Sequence, residues 1–250
     1  MSVVSTPAVL LRSFDYSETS RVLRLYTKDL GLVSVMAKGA RRRGARGKAG
    51  LGTFSRGELT AYVRQTRDLQ TFKEFAVEEA GAALGRDVLR FAGASVVAEI
   101  VLLHAGPDPS PQVFERLTNA LRRIEAEPRA GIIGSMLAEG WMLVTTLGYE
   151  PQIDLCVHCG KALDTGDVSR FDLSAGGVRC SDCAFDHSGP LLGPGARQQL
   201  TALLQGTAPE ALGKPRAHLR LLQDFVMYHI SGSKPLKTFR VFGSLAGLDE

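Results

Sequence analysis

The spacing of hydrophobic residues changes its period once along the chain, near Glu78. Before that point, short apolar runs alternate with polar residues and are separated by polar turns, which is typical of half-buried β-strands. The predicted strands are Ala8–Phe14, Ser20–Thr27, Leu32–Lys38, Glu58–Val63 and Leu69–Phe75. Five short strands with regular turns favour a small closed barrel of the OB-fold type, although an SH3-like barrel has nearly the same pattern.

After Glu78 the apolar residues recur at helical spacing. Helices are predicted over Val88–Leu103, from Pro111 with Ser110 before it, over Ile133–Leu147, from Pro194, and over Arg216–Ile230. Trp141 and His229 lie on these apolar stripes and are expected to be structural residues. The chain is therefore predicted to be an α+β protein, with an OB-fold barrel over residues 1–78 and an α-helical domain over residues 79–250.

Four cysteines, the only ones in the chain, interrupt the helical region as two CxxC pairs. They are Cys156, Cys159, Cys180 and Cys183. Two pairs at this spacing supply the four soft ligands of a tetrahedral Zn²⁺ ion. Gly160 follows the second sulfur, where the turn is expected to need a positive φ angle. The sequence thus predicts a structural zinc module at about residues 150–190, since four thiolates leave no open position for water.

Other uses of the cysteines fit the pattern less well. A redox CxxC belongs after a strand in a thioredoxin-like βαβ unit, and two disulfides require an oxidising compartment. His158 and His187 are expected to be surface residues, because the cysteines complete a ligand set without them. Zinc ligation is therefore preferred to disulfide pairing and to redox chemistry.

The formal net charge of +4 is distributed unevenly along the chain. Residues 1–75 carry +8 and residues 214–241 carry +5, whereas residues 76–149 carry −3 and residues 150–190 carry −4. A basic field over one domain suggests a polyanionic partner. The acidic zinc module is therefore not expected to be the main nucleic-acid contact.

Two basic segments provide candidate DNA contacts. The first runs from Lys38 to Lys48, where six of eleven residues are cationic and three are glycine, so it is either a solvated loop or a phosphate-binding arm. The second lies near the C-terminus. The candidate DNA-binding residues are Lys38, Arg41, Arg42, Arg43, Arg46, Lys48, Lys234, Lys237 and Arg240. Contacts to phosphate predict binding that is independent of nucleotide sequence.

Aromatic residues of the barrel are candidates for stacking on bases. They are Tyr16, Tyr26, Phe54, Tyr62 and Phe72. Most aromatic residues on strands belong to the core, so only a minority of these are expected to stack.

Neither a signal peptide nor a membrane span is expected. The N-terminus lacks a basic start followed by an apolar run, and no window approaches about eighteen uninterrupted apolar residues. With cysteines arranged for a metal, this predicts a cytoplasmic, nucleoid-associated protein without a membrane partner. The GxxxxGK[ST], HExxH and GxSxG motifs do not occur, so a non-enzymatic protein is expected.

Several short motifs occur in a particular order along the chain. They are Tyr26–Leu32 followed by Lys38–Arg42, then Leu147–Pro151 leading into Cys156–Gly160, and finally His229–Gly232 followed by Lys234, Leu236 and Lys237. No single motif is decisive, but the ordered set resembles the RecO family of bacterial DNA repair proteins. The resemblance covers essentially the whole chain.

The resemblance implies an N-terminal OB-fold and a C-terminal helical domain that carries the zinc module. It also implies binding to single- and double-stranded DNA, annealing of complementary strands, and cooperation with RecR. With RecR, proteins of this family help to load RecA onto DNA covered by single-stranded-DNA-binding protein. Because not all relatives keep the four cysteines, the resemblance implies a structural rather than a mechanistic role for the metal.

Three other functions remain compatible with the residues. They are a protein-interaction adaptor with secondary DNA contact, a zinc-containing RNA-binding factor, and a nuclease or phosphotransferase that uses carboxylates of the zinc module. An RNA partner stays open because phosphate contacts do not sense the 2′-hydroxyl group. The carboxylates are Asp154, Asp164, Asp167 and Asp172, and all four are expected to solubilise the module or to meet a basic partner instead.

Overall fold

The computed structural model describes residues 2–40, 51–64, 66–104, 106, 108–185, 188–232 and 234–248. Its strands are β1 (Ser2–Asp15), β2 (Arg21–Thr27), β3 (Gly31–Ala37), β4 (Arg56–Val63), β5 (Leu69–Glu79), β6 (Ser169–Asp172), β7 (Gly177–Cys180) and β8 (Leu191–Leu192). Its α-helices are α1 (Ala82–Arg86), α2 (Val88–His104), α3 (Pro111–Ala126), α4 (Ile132–Thr146), α5 (Pro194–Leu204), α6 (Pro215–His229) and α7 (Lys237–Leu245). No helix in these ranges combines the length and apolar character that a membrane crossing requires.

The chain divides into two compact units. The first contains residues 1–94 and 105–125, and therefore holds β1 to β5, α1 and nearly all of α3. The second contains residues 95–104 and 126–250, so α2 contributes residues to both units. The domain boundary between residues 78 and 79 stays a prediction.

The first five strands close into a barrel in the order β1-β2-β3-β5-β4, with β4 paired back to β1. Strands β3 and β5 are parallel, and the other neighbouring strands are antiparallel. The parallel pairing of β3 with β5 in this strand order is the OB-fold arrangement. The hydrophobic pattern alone did not distinguish an OB-fold from an SH3-like barrel. The predicted α+β class and OB-type barrel are confirmed.

Strand β1 begins earlier than predicted because it pairs with two neighbours. Its first half pairs with β4 and its second half pairs with β2, and a bulge between Leu10 and Arg12 follows the change of partner. Most side chains from Ser2 to Ser5 are exposed. Backbone hydrogen bonds that close the barrel, rather than a buried apolar face, therefore extend the strand there.

Alternating residues of β2 and β3 fill the inside of the barrel. Leu23 and Leu25 of β2 and Val33, Val35 and Ala37 of β3 are all buried in the barrel core. The residues between them point to the outer face, since successive strand side chains alternate. The outer face of β2 and β3 is therefore available for other groups.

A cluster of ion pairs ties α3 to the barrel within the first unit. Arg56 is only 5% exposed, and its guanidinium lies 2.9 Å from a carboxylate oxygen of Glu79 and 2.5 Å from one of Glu125. Arg122 on α3 also pairs with Glu79. The hydrogen bond from Arg122 is the largest cause that lowers the pKa of Glu79, against an opposing effect of burial, and the charge of Arg56 adds to the lowering.

The core of the second unit is built around α4 and α6. Trp141 is fully buried, and its ring centroid lies 5.3 Å from that of Phe225. A Cβ atom on Gly140 would lie 2.7 Å from a methyl carbon of Leu222, so glycine permits the close approach of the two helices. The prediction that Trp141 is a core residue is confirmed.

The short helix α7 was not predicted, although its residues include part of the second basic patch. Phe239 and Phe242 on one side of it are buried. The backbone N–H and the hydroxyl of Thr238 donate to one carboxylate oxygen of Glu99 at 3.2 and 2.6 Å. A carboxylate stabilises a helix N-terminus, but this one comes from α2, so local sequence patterns do not reveal it.

Candidate metal centre and nucleic-acid surface

The first CxxC turn is closed by its own backbone. The N–H of Gly160 donates to the carbonyl oxygen of Cys156 at 2.9 Å, and the N–H of Cys156 donates to the carbonyl oxygen of Lys161 at 2.8 Å. Gly160 has a φ angle of +74°, which confirms the predicted positive φ angle. The turn thus brings Cys156 and Cys159 into one cluster with the second pair.

The second pair follows the hairpin of β6 and β7. Cys180 ends β7, and a single turn of 3₁₀-helix over Ser181–Cys183 returns the chain to the cluster. The N–H of Val157 donates to the carbonyl oxygen of Val178 at 2.8 Å, so the backbone joins the two CxxC segments directly. A Cβ atom on Gly177 would lie 2.4 Å from the carbonyl oxygen of Gln152, so only glycine fits this approach.

Asp172 has a structural role that the sequence analysis missed. It is fully buried, whereas it was predicted to solubilise the module or to meet a partner. It accepts a hydrogen bond from the guanidinium of Arg179 at 2.7 Å, from the hydroxyl of Ser174 at 2.6 Å and from the N–H of Ala175 at 3.0 Å. These bonds close the β6–β7 hairpin, so the prediction for Asp172 is wrong.

His229 connects the cysteine lobe, defined as residues 150–190, to α6. Its Nε2 atom donates to the carbonyl oxygen of Leu173 at 2.8 Å, and its ring lies 4.4 Å from that of Phe225. The predicted structural role of His229 is thereby confirmed. His158 is exposed, as predicted, and His187 lies outside the described residues.

The four sulfur atoms have the spacing that a single metal ion requires. All lie within 4.8 Å of one another, and the Cys159 and Cys180 sulfurs are 3.8 Å apart. A tetrahedron with Zn–S distances of about 2.3 Å places its sulfurs ~3.8 Å apart. All four cysteines are free, and within the described ranges they form the only cluster of three or more His, Cys, Asp or Glu side chains suited to a metal. The residues therefore fit a tetrahedral, thiolate-bound metal ion.

The thiols differ strongly in acidity. Burial opposes charge on Cys156, but backbone hydrogen bonds from Cys180, Cys159 and His158 outweigh it and lower the pKa of Cys156 to about 6. Hydrogen bonds with the Cys159 and Cys180 sulfurs, together with burial, raise the pKa of Cys183 to about 12. One thiolate therefore forms readily, while full deprotonation needs a cation to balance the charge.

The predicted DNA-binding residues fall into three groups. Lys38 is exposed at the end of β3. Arg41, Arg42, Arg43, Arg46 and Lys48 lie outside the described residues. Lys234, Lys237 and Arg240 are exposed in the second unit, and the last two lie three residues apart on α7. DNA contact by any of them stays a prediction.

Most of the candidate stacking residues are buried. Tyr26, Phe54 and Phe72 belong to the interior, so they do not reach a base. Burial raises the pKa of the Tyr26 hydroxyl, and a hydrogen bond from the Ser110 backbone opposes part of the rise. Tyr16 is 68% exposed in the turn between β1 and β2, and it is the strongest remaining candidate.

A row of two arginines, Arg12 and Arg24, was not predicted from the sequence and lies on the outer face of the barrel. Arg12 of β1 lies directly opposite Arg24 of β2, and Arg24 lies opposite Ser34 of β3. Arg12 also stands 5.8 Å above the exposed ring of Phe14. Like charges opposite one another on a sheet are unfavourable without a counter-charge. Within the described ranges, the Nε atom of Arg24 is buried without a hydrogen-bond partner.

The row borders a groove of about 620 Å³ between the β2–β3 face and the β4–β5 turn. Arg24, Arg64 and Arg67 line the groove, as do Asp29 and Asp68. In OB-folds, the face of strands 2 and 3 and the turn between strands 4 and 5 bind oligonucleotides. We therefore name this surface, formed by the row and its neighbouring groove, the arginine groove.

The signal for these arginines was only partly visible in the sequence. Alternation placed Arg24 on the outer face of its strand, but the β1 bulge decides that Arg12 stands beside it. The side chain of Gln70 positions the β4–β5 turn, accepting from the N–H of Arg64 at 2.8 Å and donating to its carbonyl oxygen at 3.0 Å. Strand register and turn placement depend on segments far apart in the chain, so local patterns did not identify these arginines as candidate DNA contacts.

An OB-type barrel joined to a helical unit with a four-cysteine lobe defines a two-part α+β protein. Family comparisons agree with this architecture. Residues 1–80 match the family described as "Recombination protein O N terminal", and residues 85–238 match "Recombination protein O C terminal". The chain belongs to the RecO family of recombination and DNA repair proteins.

Individual relatives extend over nearly the whole chain. A DNA repair protein RecO from Rubrobacter xylanophilus is 33% identical over 95% of this chain and 96% of its own length. The corresponding protein of Heliobacterium modesticaldum is 32% identical over 89% of this chain and 81% of its own. That of Anaeromyxobacter sp. strain K is 32% identical over 92% of both.

Proposed function

We propose that this protein is a non-enzymatic factor that binds single- and double-stranded DNA and anneals complementary strands in recombinational repair. Family membership supports the repair role. The observation that carries the DNA-binding proposal is the pair of opposed arginines, Arg12 and Arg24, within the arginine groove.

The arrangement of these cations favours a phosphate-rich ligand. Guanidinium groups form strong, charge-assisted hydrogen bonds with phosphate, so the facing arginines Arg12 and Arg24 suit this ligand. A strand backbone in the arginine groove would also neutralise the facing charges of Arg12 and Arg24. Exposed Tyr16 and Phe14 offer ring faces for unpaired bases next to the same row.

Annealing follows from the same electrostatics. Two phosphate backbones must approach each other against their repulsion, and cations that neutralise phosphate lower that barrier. Release of condensed counterions drives the binding and makes it weaken as salt rises. The residues proposed to contribute beyond the arginine groove are Lys38, Arg41, Arg42, Arg43, Arg46, Lys48, Lys234, Lys237 and Arg240.

The proposed cofactor is a structural Zn²⁺ ion held by Cys156, Cys159, Cys180 and Cys183. When bound, zinc supplies a closed tetrahedral cross-link and no open position for water. The sulfur spacing and the low pKa of Cys156 support this assignment. The residues of the lobe keep the ligands in place through the hairpin bonds of Asp172 and through the approach at Gly177.

The proposed partners come from the family resemblance. They are RecR, with which the protein would help to load RecA, and the single-stranded-DNA-binding protein that covers the DNA. Chromosomal DNA as the substrate would place the protein at the nucleoid in the cytoplasm. An RNA-binding role is the alternative. Comparing the protein's affinity for DNA and RNA strands of the same sequence decides between the two.

The test is DNA affinity and annealing rate across a salt series. Arg24→Ala/Arg67→Ala removes two cations of the arginine groove, and Arg216→Ala/Arg220→Ala removes two exposed cations of α6 as the matched control. We expect the groove variant to lose affinity and to flatten the plot of log K against log salt by roughly 1.4 on single strands. Arg41→Ala/Arg42→Ala/Arg43→Ala should flatten it by roughly 2.

Each result has a definite meaning. Loss in the groove variant alone assigns the DNA surface to the outer face of the barrel. Equal losses in the groove variant and the α6 control would contradict a localised site. Reproducible cleavage of labelled DNA by the pure protein with Mg²⁺ or Mn²⁺ would defeat the non-enzymatic proposal.

A further inference from the structure

The four cysteines of the candidate metal centre differ in their access to water. Cys159 is exposed and Cys183 is partly exposed, whereas only 2% of Cys156 and 4% of Cys180 is exposed. Oxidation of a cysteine requires that the oxidant reach the thiolate, so the site of oxidation follows exposure. Among the four, Cys159 is therefore the residue that a small oxidant in solution would meet first.

A second sulfur atom lies within reach of Cys159. The Sγ atoms of Cys159 and Cys180 are 3.8 Å apart, and these two residues belong to different CxxC pairs. A disulfide bond requires the sulfurs to approach by ~2 Å, because bonded sulfurs are about 2.05 Å apart. The first turn has room for this movement, since a Cβ atom on Gly160 would meet no other segment of the described chain within 4 Å. The two pairs can therefore be joined by a covalent bond as well as by a metal ion.

We propose that Cys159 and Cys180 are an oxidant-sensitive pair, in which peroxide replaces the metal cross-link with a disulfide bond and releases the ion. This proposal adds a modification site to the cysteine lobe. It rests on the proposed zinc ligation and does not depend on DNA binding. In a reducing compartment such a bond is transient, and its reduction would allow the metal ion to bind again.

The chemistry uses hydrogen peroxide as the oxidant and the two thiolates as the reductants. The Cys159 thiolate attacks one oxygen atom of the peroxide, and the O–O bond breaks to give a sulfenic acid and hydroxide. The Cys180 thiolate then attacks the Cys159 sulfur and displaces a second hydroxide. The two sulfurs lose two electrons in total, and the peroxide gains both. Two of the four thiolate ligands are thereby lost, so the cluster no longer holds the ion.

Loss of the ion would weaken the attachment of the cysteine lobe to two helices of the same unit. His229 of α6 donates to the carbonyl oxygen of Leu173 at 2.8 Å. Arg197 of α5 donates to the carbonyl oxygen of Asp164. The disulfide bond would keep the CxxC pairs together, but it closes one loop and stabilises less than a metal ion that fixes four ligands. Faster hydrogen exchange is therefore expected in β6, β7 and the C-terminal end of α6, and not in the barrel.

Peroxide treatment of the full-length, zinc-loaded protein tests the proposal. A chromogenic chelator measures released zinc, dimedone traps sulfenic acid, and mass spectrometry of non-reduced peptides identifies the disulfide bond. We expect dimedone to label Cys159 first and zinc to be released in step with a bond between Cys159 and Cys180. Dithiothreitol with added zinc should restore the starting state.

Two histidine variants provide a matched comparison, because histidine replaces cysteine as a zinc ligand. Cys159→His removes the exposed thiol, so zinc release by peroxide should slow by about an order of magnitude. Cys183→His keeps both members of the proposed pair, so zinc release should remain near the parent rate. The zinc content of each protein is measured before peroxide is added. If a variant does not bind zinc, the order of dimedone labelling in the parent protein decides.

Several outcomes would overturn the proposal. They are equal rates of zinc release in the two histidine variants, a disulfide bond confined to one CxxC pair, and first labelling of a cysteine other than Cys159. Zinc that stays bound in the peroxide-treated parent protein would also overturn it. Absence of zinc before treatment, with the bond between Cys159 and Cys180 still formed, would instead contradict the zinc assignment and support the cysteine pair.

Discussion

The barrel and the cysteine lobe both contain antiparallel strand pairs, but they are stabilised in different ways. The barrel encloses a continuous apolar core to which all five strands contribute. The lobe buries few large apolar residues, mainly Ile153, Phe171 and Val178, and it is organised instead by buried Asp172 and by the cluster of four cysteines. Burial of apolar side chains is sufficient to stabilise the barrel, whereas a small segment with few buried apolar residues needs a cross-link.

The two regions also differ in charge. Residues 1–75 carry +8 and residues 150–190 carry −4. The barrel places Arg12 opposite Arg24 on its surface, and the lobe exposes the carboxylates of Asp154, Asp164 and Asp182. The region proposed to bind a metal ion is thus a different part of the chain from the region proposed to bind phosphate, which separates structural stabilisation from the proposed DNA contact.

Loss of a metal ligand is expected to have the largest effect and to act on one region only. Structural zinc contributes about 10–16 kcal/mol in small metal-dependent domains, so Cys156→Ser should unfold the lobe and leave the barrel folded. Hydrogen exchange of β7 and β3 amides, with metal analysis, checks this. His158→Ala is the control, since His158 is exposed beside the ligands. Full zinc retention with unchanged melting would count against four-cysteine ligation.

Removal of the buried cation should weaken the first unit specifically. Arg56→Met leaves Glu79 and Glu125 without their buried partner, which should cost ~2–3 kcal/mol, near the lower end for a broken buried ion pair because both carboxylates are partly exposed. Hydrogen exchange of the β4 amides measures this loss of stability as a decrease in their opening free energy. Arg21→Met breaks the surface pair with Asp15 and should cost less than about 1 kcal/mol. Equal costs would contradict the buried cluster.

Two strand glycines allow the regions to be compared directly. A Cβ atom on Gly57 would lie 2.0 Å from the carbonyl oxygen of Ala76 in the barrel, and one on Gly177 would meet Gln152 in the lobe. Each alanine substitution should cost ~1–3 kcal/mol. Excess zinc should restore Gly177→Ala but not Gly57→Ala, because a ligand stabilises only the unit that binds it. Gly166→Ala, in open space, is the control for thermal melting.

Lowering the pH should destabilise the two units in different pH ranges, and these changes in stability should be the smallest of those predicted. Burial lowers the pKa of His218 in the second unit, so its stabilisation is present above the unfolded value of about 6.5 and is lost as pH falls towards the folded value. Because the pKa of Glu79 is lowered in the folded state, its contribution to stability is present above about pH 4.3 and is lost as the pH falls further. Urea unfolding from pH 8 to 3, with His218→Gln and Glu79→Gln, checks the order. Identical pH profiles for parent and variants would contradict both assignments.

Local chemistry in the sequence was sufficient for much of this protein. Alternation and helical spacing indicated the strands, the main helices and the core position of Trp141, because each depends on residues close together in the chain. The four cysteines predicted a metal centre because ligand type and spacing limit the possible ions. Their sulfur geometry agrees with that prediction.

Other features were decided only by tertiary structure. The parallel pairing of β3 with β5 distinguishes the OB-fold, and the β1 bulge places Arg12 opposite Arg24. The capping of α7 by Glu99 and the burial of Asp172 likewise depend on partners that local patterns do not identify. The physical reason is common to all of them: register, burial and charge neighbours are set by packing between segments far apart in the chain, and hydrophobic periodicity carries no information about which segments meet.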